Sequence, residues 1–322
     1  MIDILLIGAG QIGSRHLQSL ALLDVAAHID VVDPSEKASA VAQARYDEIS
    51  SIAAKPSIAF LDEVEKMKTH YDVVLITTDS LPRRKILENV VAHTELKYLI
   101  LEKFLFPRLE DYAAVSQLLA KHRIKAFVNT ARRLYEDYQE MAPLFEASKN
   151  IRFQVSGSNW GLGCNGIHFL DLFAMMTRNT NVTLEMQEVD KELMPSKRVN
   201  YVEFSGTLKG FDDQNNTLEI TSHRDGTDPL IIEISDGNRR VIVNESAREM
   251  SISTENNVQS KPFRVKYQSE LTQVVIKDLV QRGTCQLTNY EDSSQLHQVF
   301  LTAFLKHYNQ ITGQQTDLCP IT

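Results

Sequence analysis

Six residues near the start of the chain, Gly8-Ala9-Gly10-Gln11-Ile12-Gly13, restrict its fold more than any other feature. They follow the apolar run Ile4–Ile7, and Ser14–Leu23 then places Leu17, Leu20 and Ala21 on one helical stripe. Three glycines at this spacing, between a strand and a helix, predict a turn that binds a dinucleotide. The first glycine permits the tight turn, the second lets backbone approach a pyrophosphate, and the third allows close helix–strand packing. The helix N-terminus adds N–H groups and positive potential. Gly8, Gly10, Gln11, Ile12 and Gly13 are therefore candidate cofactor contacts. Asp33 closes the next predicted strand, His28–Asp33. A carboxylate there accepts hydrogen bonds from ribose hydroxyls and repels a 2′-phosphate, so NAD(H) is favoured over NADP(H). Asp33 also suits a turn ahead of Pro34. Thr77, Thr78 and Asp79 follow the strand Val73–Thr77 and are further cofactor candidates; capping the next helix is compatible with that role.

The pattern continues with a helix over Ala38–Tyr46, a helix over Arg83–Ala92, a strand at Tyr98–Leu101, a helix over Asp111–His122 and a strand at Lys125–Asn129. Alternating strands and helices imply right-handed βαβ units on a parallel sheet. Beyond about residue 150 the period changes. Asn200–Leu208, Thr217–His223, Leu230–Ser235 and Arg240–Asn244 read as strands, separated by turn clusters at 210–216, 225–226 and 236–238. Asp-Gly between β-rich runs predicts hairpins, hence a mostly antiparallel sheet with one polar face. Two amphipathic helices, Ser269–Gln281 and Asp292–Tyr308, close the chain. The expected architecture is an α/β domain at 1–124, a Rossmann-type doubly wound parallel sheet, and an α+β domain at 125–322.

Composition narrows the function. Thirty-four Lys and Arg against 42 Asp and Glu leave a net charge of −8 over 322 residues. No excess of cations exists to displace counterions from a nucleic acid. No stretch approaches the roughly 20 apolar residues of a membrane span, and Ile4–Ile7 is far short of a signal segment. Cys164, Cys285 and Cys319 lie far apart without a CxxC, which argues against a disulfide framework or thiolate zinc site and favours the cytoplasm. Cys164 and His168 lack further ligands at metal spacing, so no metal is expected.

Further motifs carry a resemblance to the Gfo/Idh/MocA family, typified by glucose–fructose oxidoreductase and inositol dehydrogenase. They are Gly8-x-Gly10-x-x-Gly13-x-x-His16, Asp33, Leu101-Glu102-Lys103, Asn129-x-x-Arg132-Arg133, Gly166-x-His168-x-x-Asp171 and Glu291-Asp292. The resemblance implies a Rossmann domain, a second domain with an open-faced antiparallel sheet for substrate binding and oligomerisation, and an active site in the cleft between them. Glu102 and Lys103 match the family's Glu-Lys-Pro, whose lysine lies where nicotinamide meets substrate, so the resemblance makes both cofactor-binding candidates; here Phe104 replaces the proline. An ammonium at that strand end can steady a developing alkoxide. His168 suits proton exchange with a substrate hydroxyl near neutral pH.

Asp171, one helical turn on, shares a face with His168 and either fixes its tautomer or serves structure. Many family members place an aspartate four residues before this histidine, where this chain has Cys164. Asn165 can hydrogen-bond a substrate hydroxyl, Trp160 can stack on a sugar ring or anchor its loop, and Arg132 can meet an anionic group. His16, His223, His297 and His307 read as packing or solvated residues. The expected activity is NAD-dependent hydride transfer at a hydroxyl or keto carbon of a sugar, nucleotide sugar or related polyol. Lys103 and His168 are the expected catalytic residues. The alternatives are a nucleotide-binding sensor or partner subunit without turnover, and a C=N or enone reductase of the same family. A homodimer or homotetramer through the second sheet is expected, because that sheet's outer face needs cover.

Overall fold

A computed structural model describes residues 1–50, 55–196 and 198–322. The first stretch runs β1 (Ile2–Ile7), α1 (Gln11–Leu20), β2 (Ala27–Val32), α2 (Glu36–Asp47), β3 (Ser57–Leu61), β4 (His70–Ile76), α3 (Ser80–His93), β5 (Glu95–Glu102), α4 (Leu109–His122) and β6 (Lys125–Asn129). There follow α5 (Glu136–Met141), β7 (Arg152–Ser158), α6 (Leu162–Thr177), β8 (Val182–Val189), β9 (Met194–Pro195), β10 (Val202–Glu203) and β11 (Gly206–Asp212). The rest is β12 (Thr217–His223), β13 (Ile231–Ser235), β14 (Arg239–Asn244), β15 (Glu249–Thr254), β16 (Asn257–Pro262), α7 (Gln268–Arg282), β17 (Thr288–Asn289) and α8 (Tyr290–Thr312). Among the described residues no helix is long and apolar enough to cross a membrane.

The chain divides into two compact units. The first comprises Met1–Phe106, Glu110–Ala131 and Lys266–Glu291. Its seven-stranded sheet has the order β17-β6-β5-β4-β1-β2-β3, parallel throughout except for β17 on β6. The central strands are apolar because helices cover both faces; Ile4, Leu5, Leu6, Val73, Val74 and Leu75 are fully buried. The strand order reverses between β1 and β4, which makes their carboxyl ends a topological switch point. Lys125–Asn129, expected to open the second domain, is β6 and pairs in parallel with β5.

A larger correction concerns α7, which was expected among the elements of the second domain. It packs on α1 in the first unit, where the Ser19 hydroxyl accepts from the Gln273 amide at 3.0 Å and Lys277 meets Asp24 at 2.8 Å. Its apolar stripe is satisfied by either unit, so periodicity cannot choose between them. The short strand β3 beside β2 also escaped the sequence reading.

The second unit comprises Pro107–Leu109, Arg132–Val265 and Asp292–Thr322. Its eight-stranded sheet runs β16-β15-β14-β13-β7-β12-β11-β8, antiparallel except for β7 on β12. Alternate side chains, among them Phe153, Val155, Ile220, Ile232 and Val241, form a buried inner face. On this side α6 places Phe173 edge-on to Phe153, 6.0 Å between ring centres. Arg152, Gln154 and Ser156 of β7 are exposed on the other face. The predicted strand Asn200–Leu208 is broken into β10 and β11. Gly206 has a φ of +95°, and a Cβ there would lie 2.6 Å from the Glu188 carbonyl. Strand β11 then runs through Gly210, so its turn begins at Asp213 instead.

Candidate functional site

The glycine loop leaves β1 and enters α1 as expected, and each glycine has its own reason. Gly8 has a φ of +93°, a conformation side chains resist. A Cβ on Gly13 would sit 1.8 Å from the Gly8 carbonyl oxygen and 2.6 Å from Thr77 Oγ1, so α1 and β1 pass too closely for any side chain. A Cβ on Gly10 would meet nothing within 4 Å, and Gly10, the N-cap of α1, offers the first-turn amides no side-chain cap. Open space at an uncapped helix N-terminus fits a pyrophosphate. Asp33 braces this loop: one carboxylate oxygen accepts from the Ala9 amide at 2.6 Å and the other from the Ser35 amide at 2.8 Å. Its turn role and its place at the loop are therefore both realised, and it stays half-exposed. Thr77 donates to the Gly8 carbonyl at 2.7 Å and so supports the loop. The Thr78 hydroxyl is buried and makes no hydrogen bond among the described residues. Asp79 is exposed and is the N-cap residue of α3. These residues fit a dinucleotide: Gly8–Gly13 would hold the pyrophosphate and Asp33 the ribose hydroxyls.

Lys103 follows β5 directly and is half-buried, at the same carboxyl edge of the sheet, and its peptide bond to Phe104 is cis. Beneath it lies a buried polar circuit. His16 Nε2 donates to Glu102 Oε1 at 2.8 Å, and the Asn129 amide donates to the same oxygen. Asn129 also donates to Gln268 Oε1 at 2.9 Å. Gln268 Nε2 donates to Thr272 Oγ1 at 2.9 Å, and Thr272 Oγ1 lies 2.9 Å from His16 Nδ1, which closes the ring. Burial alone would raise the Glu102 carboxyl. The hydrogen bond and charge of His16, with Asn129 and the Lys103 ammonium, overturn that and hold it below the ordinary glutamate value. Glu102 is therefore engaged inside the protein, and His16, expected to pack or face solvent, is 1% exposed and polar-bonded.

Arg83 escaped the sequence reading. It is 1% exposed and donates to the carbonyls of Thr78, Phe104 and Leu105, the last at 2.8 Å. It thereby ties the segment after β4 to the one after β5. An arginine inside a helix reads as solvated, and no local signal marks it otherwise.

In the second unit the site candidates gather on α6. Of its sixteen residues only Cys164, Asn165, His168 and Met175 are not buried. The first three, at i, i+1 and i+4, make one accessible stripe. Glu203 accepts from the Gly163 and Cys164 amides and so caps the helix; a Cβ on Gly161 or Gly163 would collide with its carboxylate. Asn165 spends its Nδ2 on the Trp160 carbonyl at 2.5 Å and on Cys164 Sγ at 3.0 Å. Trp160 donates to the Thr221 carbonyl at 3.1 Å and packs edge-on to Phe169, contacts that anchor its loop.

Two of the substrate candidates have partners within the fold. Arg132 is bidentate to Glu245 at 3.0 Å on both arms and lies 4.5 Å over the Phe169 ring, so its charge is already met within the fold. Asp171 is 1% exposed and lies 2.9 Å from Arg133 Nε, which docks α6. Among the described residues no three His, Cys, Asp or Glu side chains assemble into a group that could hold a metal ion.

A glycine loop open at Gly10 and closed at Gly13, at the switch point of a parallel sheet, defines a dinucleotide-binding Rossmann domain. Residues 2–130 match the GFO_IDH_MocA family model, described as "Oxidoreductase family, NAD-binding Rossmann fold". None of the curated proteins matches the chain by sequence. Solved structures do share its fold over nearly its whole length. An Agrobacterium radiobacter oxidoreductase in complex with NAD+, L-tartaric acid and magnesium is 15% identical, with 96% of this chain and 97% of that one covered and a TM-score of 0.72. UDP-N-acetylglucosamine 3-dehydrogenase from Acidithiobacillus ferrooxidans is 13% identical, covering 94% and 96% at 0.71. Synechocystis biliverdin reductase, in complex with biliverdin and NADP+, is 10% identical, covering 97% and 99% at 0.71. At these identities the likeness establishes the fold.

Proposed function

We propose that this chain is an NAD(H)-dependent oxidoreductase acting at a hydroxyl or keto carbon of a sugar, nucleotide sugar or related polyol. The observation that carries the reading is the carboxyl edge of the first sheet, where the glycine loop follows β1, Thr77–Asp79 follows β4 and Lys103 follows β5. Bound nicotinamide supplies the hydride acceptor or donor. In the oxidative direction His168 takes the substrate's hydroxyl proton, and Lys103 steadies the oxygen as negative charge develops. Asn165, beside His168 on the accessible stripe of α6, orients a neighbouring hydroxyl. The test is fluorescence titration with NADH, then nicotinamide absorbance against a panel of neutral and nucleotide-linked sugars. Binding followed by turnover with one class is expected; NADH binding without any turnover selects a sensor or partner subunit.

A second reading is supported by Cys164, which leaves that stripe without a carboxylate. Reduction of a C=N bond or enone needs no base at His168. Loss of at least about a hundredfold in kcat for His168→Ala is expected from the first reading, whereas retained activity selects the second.

For the cofactor, Asp33 supports NAD(H). Asp33→Ala should lower the preference for NADH over NADPH, as the ratio of dissociation constants, by about tenfold; an unchanged ratio would remove Asp33 from the ribose. The polar, exposed face of the eight-stranded sheet supports a homodimer or homotetramer formed there, testable by light scattering. Cys164, Cys285 and Cys319, far apart in the sequence and without a CxxC, support a cytoplasmic setting.

A further inference from the structure

The polar circuit beneath β5 carries an inference that rests on the oxidoreductase reading above. We propose that His16 is a positioning residue for Lys103, acting through Glu102, and that Gln268 and Thr272 of α7 hold His16 in turn. His16 comes from α1, Glu102 from β5, Asn129 from β6 and the other two from α7, so four elements meet in one circuit around the Glu102 carboxylate. Burying such a group is an expensive way to fill space, and an apolar pair of similar volume packs as well or better. Its location supplies the reason: Glu102 is the residue before Lys103. With both donors aimed at Oε1, the carboxylate keeps one orientation, and the backbone leading to Lys103 is held with it.

The geometry separates a donor's role from mere volume. Glutamine can place an amide N–H close to the position of Nε2, whereas leucine fills the space without donating. Two measurements apply to the whole protein: kcat and KM with its best substrate, and the acylation rate of Lys103 by a neutral amine reagent, read by mass spectrometry without cofactor. His16→Leu should lower kcat about tenfold while the NADH dissociation constant stays within about twofold. With Glu102 and the backbone leading to it less firmly held, Lys103 should be acylated about threefold faster. His16→Gln should recover most of both effects. If His16→Leu does not fold, Thr272→Val removes the far partner with little change of shape and should move both readouts the same way, less far.

A wild-type acylation rate in the variant that folds overturns the proposal, as does equal impairment by leucine and glutamine. If the unaltered protein binds NADH but turns over no substrate, the oxidoreductase reading fails by itself, and the acylation rates still decide the role of His16.

Discussion

Gly13→Ala eliminates NADH binding and lowers the melting temperature sharply, whereas Gly10→Leu melts like the unaltered protein and loses only affinity. The first substitution drives a methyl to within 1.8 Å of the Gly8 carbonyl oxygen and 2.6 Å of Thr77 Oγ1. A backbone carbonyl inside a turn cannot rotate aside, so β1 and α1 must separate. Overpacking of this kind costs about 3 kcal/mol or more, and at ~2–4 °C per kcal/mol for a unit this size the midpoint should fall by roughly 10 °C. At Gly10 no atom lies within 4 Å of the added carbon, so folding is spared and the side chain enters the space assigned to the pyrophosphate. An affinity loss of about tenfold or more is expected there. Thermal denaturation and NADH titration of both variants separate the effects. Unchanged affinity in Gly10→Leu would show that the dinucleotide does not pass this loop.

Lys103→Met removes turnover and leaves NADH bound. Methionine keeps most of the apolar stem and deletes only the ammonium. A donor that meets charge developing in the transition state is worth about a hundredfold to a thousandfold in kcat. The NADH dissociation constant should stay within about threefold, because the loop after β1 and Asp33 do the holding. Full turnover in Lys103→Met would defeat the proposed chemistry. Loss of NADH affinity in parallel with kcat would make Lys103 a cofactor-holding residue instead.

The first unit was the more legible of the two, for a local reason. A strand, a glycine turn and a helix occupy consecutive residues, so Gly8, Gly10 and Gly13 declare their geometry within a few positions. Asp33 was found by its distance along the chain from them. The second unit hid more. Strands β7, β8, β15 and β16 went unrecognised, although their neighbours β12, β13 and β14 were found. β7 lies at the centre of the sheet and pairs with β12 and β13 across long loops, so no tight turn announces it.

Charged side chains mark the limit of sequence reading most plainly. Arg132, Asp171 and Glu102 all looked available for a ligand, and all three are committed inside the fold, to Glu245, Arg133 and His16 respectively. A charge next to a motif invites a functional reading, but whether it is free depends on what packs against it.

The sequence alone therefore determined the class of fold and the cofactor loop, because these follow from local periodicity and short spacings. Only the tertiary structure decided which polar groups remain available. His16 meets Thr272 across 256 positions and Arg132 meets Glu245 across 113. Such pairings are set by which buried surfaces come together, since a charge taken from water must find its partner wherever the packing brings one.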